Sequence, residues 1–203
     1  MRTLLIATTN PGKIREIREI LADAPIELVT LDRFPGIAEP EETGRTFADN
    51  ARLKALYYSS QTSLPSVADD SGIEIAALGG APGVHSARWQ GSDYPTKFAA
   101  IYRELSARGV ATSDARFVAH IAVADRGRVL FEAIGTIEGT IAAAPKGTNG
   151  FGYDPIFFYP PYGCTLGEVG GARKAAVSHR GAAFRQLSDW LQSASNPLRG
   201  GSI

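Results

Sequence analysis

Apolar residues recur along this chain at spacings that switch between strand and helix periods. Residues 4–8 form a short apolar run of the kind that a strand buried on both faces shows. Ile14, Ile17 and Leu21 follow at helical spacing, with Asn10 suited to the N-cap and Pro11 to the first helical position. The pattern predicts a helix that starts there and ends before Pro25. Residues 26–31 read as a strand, 34–45 as a loop rich in Pro, Gly and Glu, and 47–60 as a second helix with Leu53, Leu56 and Tyr57 on one face. Residues 66–75 read as a strand interrupted by a charged bend, and 79–91 as a Gly- and Pro-rich loop ending near Trp89. A helix over 96–108 precedes an antiparallel pair, 117–124 and 129–137, around the turn Asp125-Arg126-Gly127-Arg128. Pro155 to Phe158 read as a short strand, and a last helix from Ser178 or His179 to about residue 193 carries Phe184, Leu187 and Leu191 on its core face. No repeat or low-complexity linker divides the chain. The reading is an α/β protein: a mixed, twisted sheet flanked by helices, its lobes continuous, over residues 1–195, with 196–203 as a loose tail.

Composition narrows the function classes. Lys and Arg number 21, as do Asp and Glu, so no global field would draw the protein onto a nucleic acid or an anionic membrane. No apolar run approaches the roughly 18 residues of a membrane span, and the N-terminal one is cut short by Asn10-Pro11-Gly12. One cysteine, Cys164, makes neither an internal disulfide nor a cysteine zinc cage, which fits a reducing cytoplasm.

Four stretches hold more polar residues and glycines than their neighbours need. Thr8-Thr9-Asn10-Pro11-Gly12-Lys13 sits where a strand meets a helix, so the helix N-terminus and Lys13 suit a phosphate, although an ordinary capped helix would read the same way. Nothing matches the Walker pattern G-x-x-x-x-G-K-[ST]. The second stretch is the acidic loop Glu39-Pro40-Glu41-Glu42-Thr43-Gly44. The third, Asp69-Asp70-Ser71-Gly72, turns one carboxylate inward if the strand continues, and a buried carboxylate needs a cation; otherwise Asp69 turns the chain and Asp70 is exposed. The fourth joins Gly150-Phe151-Gly152-Tyr153-Asp154-Pro155 to Lys174 and Ser178-His179-Arg180: an aromatic for a base to stack on, with groups to read its edge, or simply a turn and a capped helix.

These blocks, with Leu78-Gly79-Gly80-Ala81-Pro82-Gly83, occur in the order seen in the Ham1/inosine triphosphate pyrophosphatase family, and the sequence closely resembles its bacterial members. Thr9 stands where the family usually has Gly, and His85 where an aromatic hydroxyl is common. The resemblance implies a Maf/Ham1-like fold of two lobes with the active site in the cleft between them. It further implies hydrolysis of inosine, deoxyinosine and xanthosine triphosphates to monophosphate and pyrophosphate with Mg²⁺, in a homodimer. By match to the family's motifs, Asp70 is the proton acceptor and a metal ligand, with Glu41 the other ligand; Asp69 and Glu42 are neighbours whose roles the sequence does not separate. Thr8, Thr9, Asn10, Pro11, Gly12, Lys13 and Ser71 fall to the triphosphate, with Lys174 a further charge near the nucleotide. Phe151, Gly152, Tyr153, Asp154, His179 and Arg180 fall to the base, where donors from His179-Arg180 would meet a six-keto oxygen. The rival readings are a non-catalytic nucleotide-binding regulator, a house-cleaning pyrophosphatase for other modified nucleotides, and a glycosidase using the carboxylates.

Overall fold

A computed structural model describes residues 3–91 and 93–198. Its sheet has seven strands: β1 (Thr3–Ile6), β2 (Glu27–Thr30), β3 (Ser66–Ile75), β4 (Asp114–Asp125), β5 (Arg128–Ile141), β6 (Phe157–Tyr159) and β7 (Cys164–Thr165). They run in the order β2-β1-β3-β4-β5-β6-β7. β1 pairs parallel with β2 and β3, whereas β6 pairs antiparallel with β5 and β7, so the sheet is mixed as the sequence pattern predicts. Among the described residues five α-helices accompany it: α1 (Pro11–Ile20), α2 (Phe47–Thr62), α3 (Tyr94–Ala107), α4 (Gly171–Val177) and α5 (His179–Gln192). Among the described residues no helix is long and apolar enough to cross a membrane.

The chain forms two units. The first comprises residues 1–70, 119–135 and 180–203. Its centre is β1, where Leu4, Leu5 and Ile6 are fully buried, each such side chain contributing roughly 1.5–3 kcal/mol. Alternation sends Leu4 and Ile6 into a cluster with Ile17 and Leu21 of the α1 segment and Phe184, Leu187 and Leu191 of α5. Leu5 and Ala7 face the other way, onto Ala51, Ala55 and Tyr58 of α2. That buried face of α2 differs from the predicted Leu53, Leu56 and Tyr57, which are only half-buried: alanines let the helix lie close on the strand, and the larger side chains cover its flanks. α1 starts as predicted, with the Asn10 side chain accepting from Gly12 N and Lys13 N and with Pro11 in the first turn. Arg126 and Gly127 both have positive φ in a two-residue turn between β4 and β5, as a type I′ hairpin requires. Asn196 and Leu198, predicted to lie in a loose tail, are buried; residues 199–203 of that prediction lie outside the described residues.

From β1 the chain passes through α1 to β2 on one side, then through α2 to β3 on the other. The β1–β3 boundary is therefore a topological switch point, where α/β sheets open a crevice at the strands' carboxyl ends. The register pairs Ile6 with Val67, and Ala7 N donates to Val67 O, so the phosphate loop follows β1 two residues short of Asp69 on β3. β3 also corrects the sequence reading, since it runs unbroken through Asp69-Asp70-Ser71-Gly72 without the expected bend.

The second unit comprises Ser71–Val118 and Thr136–His179. Ile73, Ile101, Leu105, Phe117, Ile156 and Phe157 form its core. The predicted loop 79–91 holds a 3-10 helix, Gly83–Arg88, whose Ser86 hydroxyl accepts from Ile73 N and donates to Gly83 O. At Gly72 a Cβ would lie 2.5 Å from Gly83 O, so only glycine lets β3 pass this segment. α3 begins two residues before the predicted Thr96 because Asp93 caps it, accepting from Thr96 N, and Pro95 suits the first turn. β6 starts at Phe157 rather than Pro155, because Asp154–Ile156 coil into a 3-10 turn. α4 and the two-residue β7 have no counterpart in the sequence reading, being too short to establish an apolar period.

Candidate active site

In the first unit, two adjacent strand residues are buried with opposite electrostatics. Asp69 and Asp70 are 2% and 6% exposed, so neither is the exposed turn residue that one sequence reading allowed. Lys13 Nζ lies 3.0 Å from Asp69 Oδ2, which also accepts from Arg180 Nε and Nη2 at 3.2 and 3.1 Å. Arg180 Nη1 bonds Glu16 Oε2 at 2.7 Å, one turn along α1 from Lys13. Burial alone would raise the Asp69 carboxyl, but Lys13, Arg180 and Lys54 overcome it and hold it well below the usual carboxylate range. Burial in turn pulls the Lys13 ammonium down, with Arg180 and Lys54 pushing the same way and Asp69 opposing.

Asp70 belongs to a second group. Its Oδ1 accepts from Lys54 Nζ at 2.9 Å and its Oδ2 from Asn50 Nδ2 at 3.2 Å. Lys54 also bonds Glu42 Oε1 at 2.7 Å, so two carboxylates share one ammonium. Asn50 Oδ1 accepts from Gly44 N at 2.8 Å and thereby ties the acidic loop to α2; a Cβ at Gly44 would press on that same oxygen. Burial raises the Asp70 carboxyl, Glu42 adds to the rise, and Lys54 only partly offsets it. Asp70 is thus a buried carboxylate held by one ammonium and one amide.

The phosphate loop is arranged differently from the sequence expectation. Asn10 Oδ1 takes Gly12 N and Lys13 N, Ile14 N bonds Asn10 O, and Pro11 has no N–H, so the first-turn donors are already engaged. The Thr8 hydroxyl accepts from Asn10 N, and the Thr9 hydroxyl donates to Glu39 at 2.5 Å. What this end offers an anion is the helix dipole, the threonine hydroxyls and Lys13.

The second unit holds the aromatic loop. Gly150 and Gly152 have φ of 72° and 70°, the left-handed region that glycine adopts without strain. Asp154 Oδ2 accepts from Phe151 N at 2.7 Å and from Lys174 Nζ at 2.5 Å, and that ammonium lies 4.5 Å from the Phe151 ring centroid. Lys174 is thus drawn onto Asp154, closing the loop through a buried ion pair. The His179 ring stacks on Phe117 at 4.8 Å, and Tyr153 OH donates to Ser86 O at 2.7 Å. Ser71 is half-buried on β3 directly after Asp70.

Two of the assigned residues stand apart from the others in this geometry. Glu41 is exposed and, among the described residues, makes no hydrogen bond or ion pair, while its neighbour Glu42 reaches the lysine that holds Asp70. Arg180, read as a donor to the base, is 2% exposed with its guanidinium on Asp69 and Glu16. Sequence reasoning missed Glu16, Asn50 and Lys54. The available signal was spacing: Glu16 follows Lys13 at i+3 and Lys54 follows Asn50 at i+4, the separations that place residues on one helix face.

The Ham1 family profile matches residues 4–190. A protein named dITP/XTP pyrophosphatase from Syntrophobacter fumaroxidans is 46% identical over 211 residues, covering 98% of this chain and 89% of its own length. One of the same name from Geobacillus kaustophilus is 42% identical over 191 residues, covering 93% of this chain and 94% of its own. Among solved structures, a HAM1 protein from Coxiella burnetii matches with a TM-score of 0.88 at 39% identity, covering 96% of this chain and all of that one.

Proposed function

Since this chain belongs to the Ham1 family, we propose that it hydrolyses non-standard purine nucleoside triphosphates, those of inosine, deoxyinosine and xanthosine, releasing the monophosphate and pyrophosphate. The observation that carries the mechanism is the division of the buried pair: Asp69 is held by Lys13 and Arg180, and Asp70 by Lys54 and Asn50. Environments that push two adjacent carboxylates apart separate their tasks. Asp70 takes the proton from the attacking water. Asp69 stays ionised and orients Lys13 toward the phosphate loop.

The leaving pyrophosphate accumulates charge, so most of the work is positioning and neutralisation. Lys13 and Lys54 supply cations for it, with the Thr8, Asn10 and Ser71 side chains as hydrogen-bonding partners. The donor set fits a hard divalent cation: carboxylate oxygens of Asp70 and Glu42 converge on a single ammonium. Mg²⁺ is commonly held by one or two carboxylates together with substrate phosphates and water. Asp70 and Glu42 would hold it, and Glu41 stands next to them in the loop. When bound, Mg²⁺ would withdraw charge from the phosphoryl oxygens.

The Phe151-Gly152-Tyr153-Asp154 loop and His179 are assigned to the base. A donor there bonds the six-keto oxygen of hypoxanthine or xanthine and leaves the amino group of adenine facing another donor, a mismatch that costs more than a lost contact. Arg180, the next residue of that block, also bonds Asp69. The setting is the cytoplasmic nucleotide pool, and the enzyme is a homodimer in this reading.

Hydrolysis of inosine triphosphate in ¹⁸O-water tests the site of attack. Attack on the α-phosphorus places the label in the monophosphate. Label recovered in pyrophosphate would overturn the assignment.

A further inference from the structure

We infer that Lys97 is a positioning residue for base selection: from α3 its ammonium fixes the Gly83–Arg88 segment and the Tyr94 ring, and these hold Tyr153 in the base loop. The inference rests on the proposed assignment of that loop to the purine. Every group involved belongs to the second unit.

Lys97 is 3% exposed and, among the described residues, has no carboxylate in ion-pair contact. A buried cation with no carboxylate in contact is costly unless its donors are engaged. Burial pulls this ammonium below its ordinary pKa, against the pull of Asp93. Its Nζ donates to Ala87 O at 2.6 Å and lies 4.6 Å from the Tyr94 ring centroid. Tyr94 meets Tyr153 edge-on, with centroids 5.4 Å apart and planes at 88°. Tyr153 OH in turn donates to Ser86 O. Consecutive carbonyls, Ser86 and Ala87, are therefore held by donors from two elements, the base loop and α3, with Tyr94 packed against both donors. The contact reaches the loop backbone as well: a Cβ at Gly152 would lie 3.6 Å from the Tyr94 hydroxyl.

A methionine at position 97 would fill much of the same space but donate nothing to Ala87 O and place no charge over Tyr94. The expected consequence is a misplaced Tyr153, read as weaker and less selective nucleotide binding rather than slower chemistry.

The experiment compares the parent with Lys97→Met, Lys97→Arg and Phe151→Ala, measuring kcat and KM with Mg²⁺ for inosine and guanosine triphosphates, together with the melting temperature. Lys97→Met is expected to raise KM for inosine triphosphate about tenfold and narrow the preference over guanosine triphosphate, with kcat within about twofold of the parent. Lys97→Arg, which keeps a donor and a cation over the ring, restores most of the loss. A lowered melting temperature with parental KM and preference overturns the inference. If Lys97→Met does not fold, Tyr94→Leu decides, since it removes the ring between the Lys97 ammonium and Tyr153: a raised KM supports the inference and a parental KM overturns it. Parental kinetics in Phe151→Ala would instead refute the base-loop assignment itself.

Discussion

Asp70→Asn is expected to lower kcat by about 10³-fold or more while nucleotide binding stays within a few-fold of the parent, because a general base alone contributes about 10²–10⁴. The substitution is nearly isosteric in a buried position and removes the one acceptor that can take a proton from water. Both groups that bond Asp70, Lys54 and Asn50, are donors toward it. Asparagine can offer its oxygen to only one of them, and Asn50 Oδ1 is already taken by Gly44 N. The change therefore costs one hydrogen bond at Asn50 or Lys54, while Lys54 keeps Glu42. Equilibrium binding of inosine triphosphate and single-turnover rates separate the two effects. Parental turnover in this variant would place the base elsewhere.

Asp69→Asn is expected to act on stability. Asp69 Oδ2 receives Lys13 and Arg180, both largely shielded from water, and losing its charge leaves Glu16 as the carboxylate against two cations. Breaking a buried ion pair by removing one partner costs about 3–5 kcal/mol. For a chain of this size that lowers the melting temperature by about 10 °C. The pH dependence gives a second signature. The folded carboxyl is depressed while the unfolded one titrates near about 3.9. Below that value the unfolded state therefore binds the extra proton first. The stabilisation from Asp69 is thus fully present above the ordinary carboxylate range and drains away as pH falls below it. The parent should lose stability on acidification over that window more steeply than the asparagine variant. Identical slopes would show that Asp69 is not the ionised hub of the cluster.

These two neighbours show what was legible in the sequence and what was not. The β1–α1 junction could be read closely, because a buried strand, an asparagine cap and a proline at the first turn are local signals. The parallel start and the later antiparallel strands could be read as a mixed sheet for the same reason. The acidic pair could be located but not divided into roles, since the division depends on which cation reaches which carboxylate across the sheet. Lys13 and Arg180 arrive at Asp69 from positions 56 residues before and 111 after it, and Lys54 arrives at Asp70 from a helix whose sequence looks solvated. Nor does the sequence show that Arg180, at a helix start where an arginine is usually exposed, places three of its nitrogens on carboxylates. The predicted bend at Asp69-Asp70 failed on the same point. Two adjacent charges interrupt a strand only when they are unpaired, and these are paired on opposite faces. The neutral total of 21 cations and 21 carboxylates thus conceals a sorted interior, in which four of the five lysines, all but Lys146, are at least half-buried.

The central claim is that this chain removes non-standard purine triphosphates by releasing pyrophosphate. The most direct measurement is a panel of inosine, deoxyinosine, xanthosine, adenosine, guanosine and cytidine triphosphates, with and without Mg²⁺, scored separately for pyrophosphate and inorganic phosphate. The account predicts Mg²⁺-dependent pyrophosphate release from the first three at kcat/KM well above the others. Equal rates across the panel, or inorganic phosphate as the primary product, would contradict it.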